Sequence, residues 1–271
     1  MKDYNEMRVN SSYLTPMIDN SETQIILQRH CNYDKTSGFL VQDSINEQKR
    51  IVEDFVLNLK EKYGYDNVFF LFSASNTIGA GDLRRCIDST NIIMDYIVNT
   101  LGEGHVLNFR SGSNYRNKIH DERAVIEPKM FIDGTGYYEF LLNKFGDENI
   151  DFWTAFEEDT YKEEREKLNA EGPDEIVNRG IKYICALQKY ATWFHNEYPN
   201  CKLIIWTGTH YDLISPLVKK IRGWDKTDVV WVDYSGGISI NIDKENNIVA
   251  NVNGINYPFD LQYKKQLHRH F

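Results

Sequence analysis

The sequence predicts an α/β protein: a three-layer α/β/α sandwich with a mostly parallel central sheet and an inserted helical cap. Three observations lead there. Short apolar runs of strand length alternate along the chain with longer stretches whose apolar residues recur at helical spacing, the pattern of crossover-linked parallel strands. Turns containing Gly, Asn and Ser separate these segments. The 271 residues, 41% hydrophobic and 13% aromatic, supply enough apolar surface for one large core, so the chain reads as a single domain over 1–271 with a cap at about 102–172.

The elements follow in order. A polar leader of about twenty residues precedes a buried strand from Thr23 to Gln28, which stops at Arg29-His30. Ile45, Ile51, Val52, Phe55, Val56 and Leu59 recur at helical spacing, and Gly64 is the stop signal. A second strand, Asn67 to Phe72, runs into Ser73 to Asn76 and the turn Gly79-Ala80-Gly81. Leu83, Ile87, Ile92, Ile93 and Ile97 then mark a helix with Arg84 and Arg85 in its first turn. The charge-dense stretch at 150–172 reads as a solvated helix of the cap. Ile181 to Phe194 forms a long amphipathic helix that halts near Pro199. A third strand from Lys202 to Thr207 ends at Thr209-His210, and Leu213 to Ile221 is the helix behind it. Further strands are expected at 228–232, 237–242 and 247–252, the last two joined by Lys244-Glu245-Asn246.

Charge and cysteine content narrow the function classes. Lys and Arg total 31 against 40 acidic residues, a net charge of −9, which is the wrong sign for long-range attraction to nucleic acid or anionic lipid. An anionic ligand therefore needs a local cationic pocket. The four cysteines form no CxxC pair, and His105, His120 and His195 have no Cys or carboxylate at ligand spacing, so no metal or other cofactor is expected. No stretch reaches the roughly 18 apolar residues of a membrane span, and the expectation is a cytoplasmic protein with no membrane partner. Nothing in the sequence fixes an oligomeric state. Gly79-Ala80-Gly81 lacks the third glycine of a dinucleotide loop and does not follow the first strand.

If the sheet is parallel, three strand ends meet at one edge and bring Arg29-His30, Arg84-Arg85 and His210 to a single pocket, because ligands of such sheets bind beyond the strand carboxyl ends. Two imidazoles and at least one guanidinium would then face one another. A phosphate group fits this set: guanidinium offers paired planar donors, and a helix amino terminus adds unpaired N–H groups. A neutral imidazole there can attack phosphorus while the cations stabilise the moving charge.

Leu27-Gln28-Arg29-His30-Cys31 resembles the Leu-x-Arg-His-Gly signature of the histidine phosphatase superfamily, in its phosphoglycerate mutase-like branch. Leu83-Arg84-Arg85-Cys86-Ile87-Asp88-Ser89 is similar to the Leu-x-Arg-Ala-x-x-Thr element of that family, Ile126 to Phe131 to its Val-Glu-Pro-x-Leu-Phe stretch, and Trp206 to Leu217 to its second histidine signature. The resemblance spans about Ile25 to Leu217. It implies that His30 is the catalytic nucleophile that becomes phosphohistidine, and that Arg29, Arg85 and His210 bind the phosphate. The acid that protonates the leaving group is implied near Ile132-Asp133. Asp133 is the first choice, with Asp212 and Glu127 behind it, although Asp133 also suits a turn and Asp212 a helix cap. The implied division of labour keeps His30 neutral and His210 cationic, which gives a bell-shaped pH profile.

The sequence departs from the pattern at Cys31, where the family has glycine, and at Asn32, Tyr33 and Gly81-Asp82. The expected function is a metal-independent phosphomonoesterase acting on a small phosphate ester. Two alternatives share the fold: a phosphoglycerate mutase-like phosphotransferase, and a catalytically impaired module that binds phosphate or a partner. Tyr137, Tyr138, Phe152 and Trp153 of the cap either pack a leaving group or anchor the insert.

Overall fold

The computed structural model describes residues 5–75, 84–107 and 136–261. Nine strands are found among them: β1 (Glu6–Val9), β2 (Ser21–Arg29), β3 (Val68–Ala74), β4 (Val106–Leu107), β5 (Lys202–Thr209), β6 (Val229–Val232), β7 (Gly237–Asp243), β8 (Ile248–Val252) and β9 (Ile255–Pro258). Seven α-helices accompany them: α1 (Gln42–Tyr63), α2 (Arg85–Leu101), α3 (Tyr137–Phe145), α4 (Ile150–Glu157), α5 (Lys162–Lys167), α6 (Pro173–Glu197) and α7 (Tyr211–Arg222).

Strands and helices form the expected three layers, because side chains alternate across each strand. Ile26 of β2, Phe70 and Phe72 of β3 and Ile204 and Trp206 of β5 pack with Val52, Phe55 and Leu59 of α1 and with Ile93 and Ile97 of α2. On the other face, Ile25 and Leu27 of β2 and Leu203 and Ile205 of β5 pack with Ile181, Ile184 and Leu187 of α6 and with Leu213, Ile214 and Leu217 of α7.

The central sheet is mixed where the sequence suggested a mostly parallel one. Its order is β4-β3-β5-β2-β7-β8-β9; the first four strands are mutually parallel, and β7, β8 and β9 join antiparallel. Chain length explains this. A parallel neighbour needs a crossover of a dozen or more residues, whereas short turns at Lys244 to Asn247 and at Asn253-Gly254 link these strands and allow only hairpins. Asn253 and Gly254 both have positive φ, 50° and 78°, as a two-residue hairpin turn requires.

Two further expectations change. The polar leader contributes β1, which pairs parallel with β6 in a separate two-stranded sheet, so the strand expected at 228–232 lies outside the central sheet. The segment at 150–172 is two short helices with buried polar anchors. Glu157, at the end of α4, forms a buried ion pair with Lys219 of α7 and accepts a 2.6 Å hydrogen bond from Ser215 Oγ. Arg165 is buried as well, donating to Asp159 at 2.6 and 2.9 Å and to the Ala170 carbonyl at 2.8 Å. Phe152 and Phe156 of α4 and Tyr137 and Leu141 of α3 enter the same core as α6 and α7. No helix among the described residues is long and apolar enough to cross a membrane.

Candidate functional site

The parallel half of the sheet positions the site. Arg29 and Thr209 are register partners at the ends of β2 and β5, and the His30 backbone N–H donates to the Thr209 carbonyl at 3.1 Å. His30 and His210, the residues that follow, therefore leave adjacent strands side by side. Their rings stand 5.2 Å apart at 70°, and both residues are buried, at 4% and 8% exposure.

The amino terminus of α2 closes over the end of β5. Gly208 makes this possible: a Cβ there would lie 2.2 Å from Thr90 Oγ1 and 2.8 Å from the Cys86 carbonyl oxygen. Arg85, the first residue of α2, consequently reaches the two imidazoles closely enough to bias the protonation of both. Ser89 ties the two halves together, since its Oγ donates to the Arg85 carbonyl at 2.7 Å and accepts from the Cys31 N–H at 2.9 Å. The Cys31 side chain itself is fully buried, beside Gln48 Oε1 and Ser235 Oγ. Cys31 is thus a packing residue, with burial holding its thiol above its ordinary pKa.

His30 Nδ1 lies 2.7 Å from the Cys31 carbonyl oxygen. A carbonyl can only accept, so Nδ1 carries the proton and the lone pair of the neutral ring sits on Nε2. Burial, helped by His210, Arg29 and Arg85, keeps His30 well below its ordinary pKa, so the ring is neutral at pH 7. Burial and the two guanidiniums push His210 down to about 3. The expected split between a neutral His30 and a cationic His210 is not what the free protein holds. Both rings are neutral, because two arginines already supply the positive charge and a buried imidazolium between them is costly.

Arg29 is held by three neighbours. One terminal nitrogen donates to the Val232 carbonyl at 2.5 Å, and its guanidinium carbon sits 4.0 Å from the Tyr234 ring centroid and 5.5 Å from that of Tyr211. Its Nε is buried without a hydrogen-bond partner. Arg85 stacks similarly on Tyr33, at 4.1 Å. The rings of Tyr33 and Tyr234 also flank His30, at 5.8 and 5.7 Å. A turn brings Tyr234 here: the Arg29 N–H donates to the Gly236 carbonyl at 2.8 Å, and the Ser235 N–H to the His30 carbonyl at 3.3 Å, with Ser235 at φ 58°.

The acids divide. Asp133 and Glu127 lie outside the described residues. Asp212 is 1% exposed, and neither carboxylate oxygen makes a hydrogen bond of normal geometry. It does not cap α7, whose cap residue is His210 with no side-chain cap bond. Burial pushes its carboxyl up to about 7, so it is about half protonated at neutral pH and protonated below it, within electrostatic range of Arg29 and Cys86.

The structure therefore brings Arg29, His30, Arg85 and His210 together. Sequence reading misses Tyr211 and Tyr234 and gives Cys86 no role, although its Sγ lies 3.3 Å from His210 Nε2. Only Tyr33, as a departure from the family pattern, draws attention. Tyr234 sits in an irregular turn after β6 that carries no periodic signal.

No family model matches the sequence, and no curated protein does either. Among solved structures, the chain is similar to a phosphoglycerate mutase from Bacillus anthracis, with 14% identity, coverage of 87% of this chain and 94% of that one, and a TM-score of 0.44. A mycobacterial glucosyl-3-phosphoglycerate phosphatase gives 12%, 87%, 99% and 0.46 in the same order. A multiple inositol polyphosphate phosphatase from Bifidobacterium longum gives 9%, 95%, 92% and 0.47. At these values the likeness carries no functional inference.

Proposed function

We propose that the protein is a metal-independent phosphomonoesterase, similar to the histidine phosphatases, that acts on a small phosphate ester through a phosphohistidine on His30. The observation that supports this best is the pairing of His30 with the Cys31 carbonyl, which leaves Nε2 as the attacking atom beside a second imidazole and two guanidiniums.

In the first step Nε2 of His30 attacks phosphorus, the P–O bond to the alcohol breaks, and a carboxylic acid protonates the departing oxygen. Asp133 is proposed as that acid, with Asp212 as the described alternative. In the second step the resulting carboxylate takes a proton from water, the water oxygen bonds to phosphorus, and the P–N bond breaks to restore His30. Arg29, Arg85 and His210 bind the phosphoryl oxygens throughout; the guanidiniums stabilise the transition-state charge, as preorganised cations in a dry site do. The same two cations oppose a metal ion in this pocket.

Incubation with a generic aryl phosphate in the presence of a chelator tests the reading. The expected outcome is turnover together with an acid-labile phosphoryl label on the protein, both lost in His30→Ala. Turnover that survives His30→Ala rejects the mechanism. Vanadate binding without turnover of a broad ester panel indicates instead the impaired phosphate-binding module. Transfer of the label to a phosphoglycerate rather than to water indicates a mutase.

A further inference from the structure

Tyrosines lie beside the His30 ring. Tyr33 and Tyr234 flank the His30 ring and stand 6.4 Å apart at 86°, and neither is fully buried. A third comes from the cap: Tyr138 of α3 is partly buried, and lies within electrostatic reach of both Tyr33 and Arg85. Its hydroxyl donates to Glu148 at 2.7 Å, and Glu148 is in turn within reach of Arg29. The neighbouring aromatics of the cap serve another purpose. Tyr137 and Phe152 are completely buried in the core, and Trp153 packs on Tyr211 at 4.5 Å, so they anchor the segment; Tyr138 meets Phe152 edge-on at 5.7 Å and stays only partly buried.

These surroundings discriminate among esters. Phenol rings present apolar faces and polarised edges, which favour an aromatic neighbour in offset or edge-on contact. The Glu148 carboxylate repels a second phosphate, and so does the net charge of −9 at longer range. We infer that the ester taken by this site is an aryl phosphate monoester, whose aromatic leaving group packs among Tyr33, Tyr138 and Tyr234. The inference rests on the phosphatase reading above and narrows its substrate class.

Phosphonates, which are not hydrolysed, test it without relying on turnover. Calorimetry on the full chain compares benzylphosphonate with 3-hydroxypropylphosphonate and ethylenebisphosphonate, with inorganic phosphate as the reference. Benzylphosphonate is expected to bind about tenfold more tightly than either. That preference is expected to fall below about threefold in Tyr138→Ala and to persist in Tyr138→Phe, which keeps the ring. Equal affinities, or tighter binding of the hydroxyalkyl or bisphosphonate ligand, overturn the aryl assignment while the phosphate site stands. Failure of every ligand, inorganic phosphate included, overturns the phosphate-site reading and this inference with it.

Discussion

The Cys86 thiol sits 3.3 Å from Nε2 of His210, and its sulfur is also 3.3 Å from the Thr209 carbonyl oxygen. The thiol has one proton and the carbonyl can only accept, so the sulfur meets Nε2 of His210 as donor or acceptor according to that ring's tautomer, and Cys86 helps decide which nitrogen of His210 carries a proton. Burial holds the thiol far above its ordinary pKa, so it works as a neutral hydrogen-bonding group and not as a thiolate. Cys86→Ala is expected to lower kcat about three- to tenfold and to cost about 1–2 kcal/mol of stability through the space it leaves. Cys86→Ser, which keeps a donor, is expected to restore most of the rate. Steady-state kinetics and urea unfolding check both, and an unchanged rate in Cys86→Ala removes the thiol from the site's workings.

The two imidazoles make stability depend on acid. Both fall below their ordinary pKa on folding, so the unfolded chain binds protons that the folded chain refuses. Their stabilising contribution is therefore complete above about pH 6.5 and declines as pH drops toward the folded values. Between about pH 6.5 and 5 the His210 ring is expected to cost about 2 kcal/mol, and His30 adds a cost of the same sign. Urea midpoints measured across that range should fall steeply in the natural protein and less steeply in His210→Gln. Parallel profiles for the two proteins would show that His210 titrates normally.

Asp212 has the opposite sign. Its folded pKa is raised to about 7, so the folded state holds a proton that the unfolded chain has released above about pH 4. The resulting penalty grows as pH rises through that window and levels off above pH 7. Asp212→Asn is expected to gain stability over the natural protein by about 1.4 kcal/mol per pH unit from pH 4 to 7. Urea midpoints across that range check it, and a constant difference between the two proteins would show that the carboxyl titrates normally. The same variant separates the two candidate acids. If Asp212 protonates the leaving group, kcat falls about 100-fold or more; if Asp133 does, that loss appears in Asp133→Asn.

Glu157 and Lys219 join α4 to α7 through a buried ion pair. Removing one partner strands the other charge away from water. Lys219→Met is expected to cost about 3–5 kcal/mol, and the double variant Glu157→Gln with Lys219→Met to regain much of it. Urea unfolding of the single and double variants is the measurement, and additive losses would show that the pair is not coupled.

Much of this architecture is legible because burial writes a simple pattern. β2, β3 and β5 are fully covered strands, so Ile25-Ile26-Leu27, Phe69 to Phe72 and Leu203 to Trp206 appear as unbroken apolar runs. The adjacency of His30 and His210 follows from strand order alone. Periodicity extends the parallel sheet too far because it carries no direction; chain length between strands does. Asn253-Gly254 is the strongest local hairpin signal in the chain, and a reading that ends the last strand at 252 misses both the turn and β9. β1 and β4 are four and two residues long, too short to show any period. Tyr234 and Cys86 act through three-dimensional proximity between segments far apart in sequence, which no window of the chain reveals.

The tight approach at Gly208 has an evolutionary consequence. A single added methyl would force α2 and β5 apart, and the guanidinium of Arg85 would retreat from the imidazoles before any of the proposed catalytic side chains had changed. Inactivation by such a wedge would leave Arg29, His30, Arg85 and His210 all in place, so a variant could keep every candidate site residue in its sequence and yet lose the proposed hold on an oxyanion.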